Sequence, residues 1–360
     1  MIKKILLSPW TALLTLALVV GIRIADPTFV ENVRLKYFDE LITSKAPTEN
    51  NIYTVNIDED TITKYGQYPF PRDVYAKIIQ DLYSRNAGLV VFNVLLSEPD
   101  RFGKDHVLAE TMNKFPVILP NSPENKNKNT PRNPSTAVIK NEYANQITQY
   151  AGIMANIPVL ESRAVGTGTI HTDPENDNVV RRMPLVITVD GVVYPSIAME
   201  ALRVAAGDST TQIKLFENGV EKMRIPKFGP IATDTQGRVW IDWSQHSKSV
   251  SAVDLPKDFG GAVIIVGVAA TGLGNPVPTP VQGTWPQDVQ AAVLGTMING
   301  VTIQRPDYAD GAEILALLAF GLLLIFLSRW TYVGIGATVV IVGAVGYCWC
   351  RRSWYYVRFH

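Results

Sequence analysis

Apolar residues gather at the two ends of this 360-residue chain, and that distribution limits its fold more than any other feature. The first run, Ile5 to Ala25, follows Lys3 and Lys4 and is interrupted only by Ser8, Pro9, Thr11, Thr15, Gly21 and Arg23. A helix needs about 20 such residues to cross hydrocarbon. Near the other end, Ile314 to Leu327 and Val333 to Val345 are the cores of two further stretches of spanning length, joined by Ser328-Arg329-Trp330-Thr331. So tight a joint predicts a hairpin of two helices. The expected organisation is an N-terminal transmembrane anchor (1–25), a folded extracytoplasmic domain (26–308), two transmembrane helices (309–350) and an interfacial tail (351–360).

Lys-Lys before an apolar core is also the start of a cleaved signal peptide, but no small-x-small site precedes Asp26, so an uncleaved anchor is expected. With Lys3 and Lys4 inside, the first span carries the polar segment outward. The chain is then expected to be a multi-pass membrane protein with its main domain periplasmic or extracellular and lipid as one partner. Two later spans would leave Arg351, Arg352 and Arg358 outside, against the positive-inside tendency. That conflict predicts either a further span beyond His360 or a hairpin that is not a simple one. Trp349, Trp354, Tyr355 and Tyr356 suit an interfacial anchor.

Formal net charge is zero and the basic residues are dispersed among acidic ones, so no stripe exists for tracking phosphates and a nucleic-acid partner is excluded. Both cysteines, Cys348 and Cys350, lie at the end of the last apolar stretch. The outer domain must therefore fold without disulfides, which its size permits.

Within that domain, Val33, Tyr37, Phe38 and Leu41 recur at helical spacing over Glu31 to Leu41. Ile52 to Ile57 reads as a strand, Val74 to Arg85 as an amphipathic helix, and Leu89 to Leu96, apolar except for Asn93, as a strand buried on both faces. Strand, helix and strand in this order form a βαβ unit with parallel strands. A helix over Val107 to Lys114 and a strand at Pro116 to Leu119 extend it. Asn121 to Pro134, rich in Asn, Lys and Pro, reads as an exposed mobile loop or a partner-binding arm. Asp190-Gly191 and Asn218-Gly219 predict tight hairpins, Ser196 to Ala206 a helix, Ala262 to Val268 a buried strand and Asp288 to Asn299 a helix. The expected fold is α/β with added antiparallel hairpins, a three-layer mixed-sheet domain flanked by transmembrane helices.

Several segments together resemble a known family. They are Arg34 with Tyr37-Phe-Asp39, Ile52-Tyr-Thr-Val-Asn-Ile-Asp58-Glu59, Tyr68-Pro-Phe-Pro-Arg72, Val90 to Pro99, Asp105 with Leu108-Ala109, Asp173 with Val180-Arg181-Arg182, and Pro195 to Leu202. In this order they resemble the second type of CHASE domain, the cyclase/histidine-kinase-associated sensory extracellular domain of bacterial receptors. The resemblance implies a sensory module, a homodimer, and three spans after the domain leading to a cyclase, histidine kinase or protein kinase. This chain departs from the pattern at Asn93, where the family usually has aspartate, and at Trp285-Pro-Gln-Asp-Val-Gln290-Ala291, where Pro-Gly-Val-x-x-His-Ala is usual. Nothing in these residues can itself cyclise or phosphorylate a nucleotide, so no enzyme is expected.

In parallel sheets, ligands collect at the carboxyl ends of the strands. The candidate ligand-binding residues there are Asp58, Glu59, Glu98 and Thr271, with Arg72, at the end of the Pro-Phe-Pro loop before a helix, reaching the same rim to bind a small polar or charged ligand. Each also has a purely structural role to fill. Asp58 and Arg72 would form an ion pair, with Asp58 or Asp73 capping a helix; Glu98 would be a solvated loop residue; Thr271 would serve its turn. Gly267 to Gly274 resembles a phosphate-cradling loop only loosely and lacks the Lys-Ser/Thr of a P-loop. His106, His171, His246 and His360 have no metal-ligand spacing, and no Gly-x-Ser-x-Gly elbow is present. No metal and no cofactor are expected. A periplasmic hydrolase using paired carboxylates is disfavoured because Asp58 and Glu59 are adjacent and would point to opposite faces of a strand. The rival from another class is a stand-alone membrane scaffold protein, distinguished from a receptor by whether an output domain follows His360.

Overall fold

The computed structural model describes residues 9–300, 303 and 308–328. The chain divides into two compact units, Ile42–Val301 and Met1–Leu41 with Thr302–His360.

The terminal unit holds three helices, α1 (Pro9–Ala25), α2 (Thr28–Thr43, which runs on past the boundary) and α9 (Ala309–Ser328). Helices α1 and α9 pack together. Gly321 makes this possible, since a Cβ there would run into Leu16. The pair is pinned by Arg23, whose guanidinium donates to Asp310 at 2.5 Å and to Glu313 at 2.6 Å. Among the described residues no single helix is long and apolar enough to cross a membrane, but Trp10–Ala25 and Thr28–Thr43 meet that test together, bent by 77°. Ile314 to Leu327 is helical as expected. Val333 to Val345, the joint before it, both cysteines and the aromatic tail lie outside the described residues.

The larger unit is built on a sheet of β1 (Thr48–Ile57), β2 (Leu89–Phe92), β3 (Val117–Glu124), β4 (Gly152–Met154), β5 (Gly166–Thr169), β6 (Gln245–Ser251) and β7 (Val263–Val268). Its order is β6-β1-β7-β2-β3-β5, all parallel, and β4 runs antiparallel along the far end of β3. The last strand in sequence, β7, is thus inserted between the first two. This insertion puts the carboxyl ends of β1 and β7 side by side.

Helices cover both faces. Against one lie α4 (Arg72–Ser84), α5 (Asp105–Lys114) and the short α6 (Pro158–Glu161), following the small α3 (Glu59–Tyr65). Tyr75, Ile78, Ile79 and Leu82 of α4 recur at helical spacing and bury against Val55, Ile57, Val90, Phe92 and Val266. Each large apolar side chain so buried is worth about 1.5–3 kcal/mol. Against the other face lie α7 (Ile197–Ala205) on β3 and β5, and α8 (Pro286–Ile298) on β1, β6 and β7. Ser196 caps α7 by accepting from the Met199 amide. Gly168 lets α7 approach, because a Cβ there would lie 2.5 Å from the Ile197 Cα.

The hairpins form where expected. Val186–Val189 pairs with Val192–Pro195 through Asp190 and Gly191, which turn at φ of 50° and 75°. Thr211–Phe216 pairs with Gly219–Ile225. Two expectations need correction, and one strand was not expected at all. Leu89 to Leu96 is a strand only to Phe92. The polar segment Gln245–Ser251 is a strand, pairing in parallel with β1 at the sheet edge. The segment 121–134 is no loose loop at its start. Asn121 ends up fully buried in β3, and Asn129 donates to the carbonyls of Ser97 and Ala155, both at 2.9 Å.

Candidate functional site

Of the five residues singled out from the sequence, Asp58, Glu59, Glu98 and Thr271 come after strands and Arg72 opens α4, and they fall in two groups. Asp58 and Glu59 follow β1 and Thr271 follows β7, its neighbour. Asp58 caps α3: its carboxylate accepts from the Thr61 amide (3.0 Å) and hydroxyl (2.7 Å), and from the Ser251 hydroxyl (3.0 Å). Burial pushes this carboxyl up, but those hydrogen bonds outweigh it and hold the group below the usual carboxylate range. Glu59 accepts from the Thr271 amide at 2.8 Å, which lowers its pKa in turn. The two carboxylates are therefore a helix cap and a loop staple.

Arg72 and Glu98 form the second group. The ion pair expected between Arg72 and Asp58 is not the one formed, since Asp58 is taken up by its cap. Arg72, 6% exposed, instead donates Nε to Asp105 (3.2 Å) and Nη2 to the Glu98 carbonyl (2.7 Å). Asp105 also accepts from the Asp100 amide at 2.9 Å, so one buried guanidinium and one carboxylate fasten the loop after β2 to α4 and α5. The Glu98 carboxylate pairs with Lys128 at 2.9 Å in the open, and that hydrogen bond lowers its pKa. Among the described residues no group of three or more His, Cys, Asp or Glu is placed to hold a metal ion.

A third group, absent from the sequence-based site list, sits beneath the same edge on the α8 face. Asn56 and Gly267 are register partners on β1 and β7. Asn93 comes one residue beyond the Phe92–Val266 pair and donates its backbone amide to the Val266 carbonyl at 2.7 Å. Gln287, in the first turn of α8, lies over Gly267 and donates Nε2 to Asn56 Oδ1 at 2.7 Å, while Asn56 Nδ2 donates to the Ser249 hydroxyl, also at 2.7 Å. Gln287 is wholly buried and Gln290 is 2% exposed. Gln287 Oε1, Gln290 Oε1 and Asn93 Oδ1 are buried with no donor. A buried acceptor left without a donor costs on the order of 1–3 kcal/mol. Next to them, burial pushes the Asp288 carboxyl above the usual range, opposed by the Thr54 hydroxyl.

The chain matches the CHASE2 domain family over residues 14–326. The chain belongs to the CHASE2 family. No curated protein and no solved structure matches it. The CHASE2 domain is an extracellular sensory domain of signalling receptors. The match takes in most of α1, the whole sheet and most of α9, so the CHASE2 unit here includes the helices before and after the α/β body.

Proposed function

We propose that this chain is the extracytoplasmic sensory part of a bacterial membrane receptor, reporting a small polar ligand or a protein partner to helices embedded in lipid. The family match carries the reading, because it runs from α1 through the α/β body into α9. Binding at the strand-end rim would favour one of two arrangements of α1 and α9, and only a ligand that prefers one arrangement can shift that balance. The pinned pair Arg23 with Asp310 and Glu313 is the element to be shifted. The answering output is a cyclase, histidine kinase or protein kinase outside these 360 residues, and the receptor works as a homodimer. Asp58, Glu59, Arg72, Glu98 and Thr271 shape the rim, while ligand contact falls to the side chains around them.

Placement is tested with a single cysteine at Thr130, an exposed position, in a chain whose Cys348 and Cys350 are serine. A membrane-impermeant maleimide should label it in intact cells. Labelling only after the membrane is opened would put the domain on the wrong side for this role.

A further inference from the structure

We infer that Asn93, Gln287 and Gln290 form a binding site for a compact monovalent cation, either an alkali metal ion or an ammonium group. The inference rests on the sensory reading above and supplies the chemistry its rim residues do not.

Three observations converge on these residues. Their carbonyl oxygens, Asn93 Oδ1, Gln287 Oε1 and Gln290 Oε1, are buried and lack donors. They also stand on adjoining elements of the fold. Gln287 sits over Gly267, whose missing side chain leaves room for it. Asn93 follows Phe92 on β2, the strand paired with β7, about 4.8 Å away and on the same face. Gln290 lies one turn further along α8, on the face it shares with Gln287. Finally, Gln287 is held in place by the chain of hydrogen bonds through Asn56 to Ser249. This fixes its amide nitrogen toward Asn56 and leaves its oxygen over Gly267, the register neighbour of the Asn93 position.

The ligand class follows from the donor set. Hard oxygen donors suit alkali metal and alkaline earth ions. None of the three side chains is a carboxylate, so a divalent ion would enter without charge compensation from them, whereas a singly charged ion needs less. An ammonium group meets the same three acceptors with its own N–H donors. An anion would find only oxygens facing it.

The test uses the full chain in lipid nanodiscs at constant ionic strength, with choline chloride replaced stepwise by potassium, sodium, ammonium or methylammonium chloride. The expected result is a saturable rise in unfolding midpoint, roughly 5 °C at a hundredfold excess over Kd. Potassium or sodium acting alone would identify a metal ion, and ammonium with methylammonium an amine. The double variant Gln287→Met/Gln290→Met should lose the rise. A midpoint equal in all salts, or an equal rise in the variant, overturns the site. Should the variant not fold, thallium(I) soaked into crystals of the wild-type chain gives the same answer: an anomalous peak among the three oxygens supports the site, and an ordered water there overturns it. A cation response without any change in α1–α9 spacing would keep the site and remove its sensory role. A spacing change driven by another solute, with no cation response, would do the reverse.

Discussion

The amide of Gln287 rests on the backbone of Gly267, so close that a Cβ on Gly267 would lie 2.5 Å from Oε1 and 2.6 Å from Cδ. Gly267→Ala must therefore push Gln287 off Asn56. The expected cost is about 1–3 kcal/mol, read as a lower urea midpoint, together with loss of the salt-specific rise in stability. An alanine variant as stable as wild type and equally responsive to cations would mean that this contact is unimportant.

Arg72 makes a second, separable prediction. Its buried guanidinium has Asp105 as its ion-pair partner, and Asp105→Ala should cost about 3–5 kcal/mol by leaving that charge uncompensated. The double variant Arg72→Met/Asp105→Ala should recover part of the loss. Strict additivity in a double-mutant cycle would show that the two side chains do not act together.

Asp58 links the rim to pH. Its folded-state pKa lies below its unfolded value, so its contribution is fully present above the unfolded pKa of about 4 and is lost as pH falls through the folded value. Asp58→Asn should then flatten the acid side of a plot of urea midpoint against pH, with little change in its shape at neutral pH. Superimposable acid limbs would show that the cap to Thr61 and Ser251 carries no such linkage.

Asp177 and Arg181 give a fourth. Arg181 is 1% exposed and donates both Nη1 (2.8 Å) and Nη2 (2.7 Å) to the Asp177 carboxylate. That pairing depresses the Asp177 pKa even though burial opposes it. Asp177→Asn should destabilise the domain by about 3 kcal/mol, measured in urea. A change under about 0.5 kcal/mol, the scale of an ordinary surface substitution, would show that Arg181 finds other support.

Much of this fold is written in local patterns. The apolar runs before Asp58, around Val91 and before Val268 mark the parallel core, and Asp190-Gly191 and Asn218-Gly219 mark the hairpins, because both signals are short-range. Gln245–Ser251 carries neither. As an edge strand beside β1 it is satisfied by backbone pairing and keeps a polar sequence with no buried residue. The rim residues were legible as strand ends, but their partners were not. Whether Arg72 meets Asp58 or Asp105 depends on contacts set by the tertiary fold. The amide group was visible only as two oddities, a lone Asn93 in an apolar run and Gln287 with Gln290 on a helix. Only the insertion of β7 between β1 and β2 brings them together.

Coupling of the α/β body to the α1–α9 pair is the step on which a sensory role depends. It is tested most directly by the distance between spin labels at Leu18 and Leu322, both exposed on their helices, in the full chain in nanodiscs without and with saturating cation. Saturating cation should shift the distance distribution, and the shift should be absent in Gln287→Met/Gln290→Met. Unchanged distributions across every salt, in a protein whose stability does respond, would contradict it.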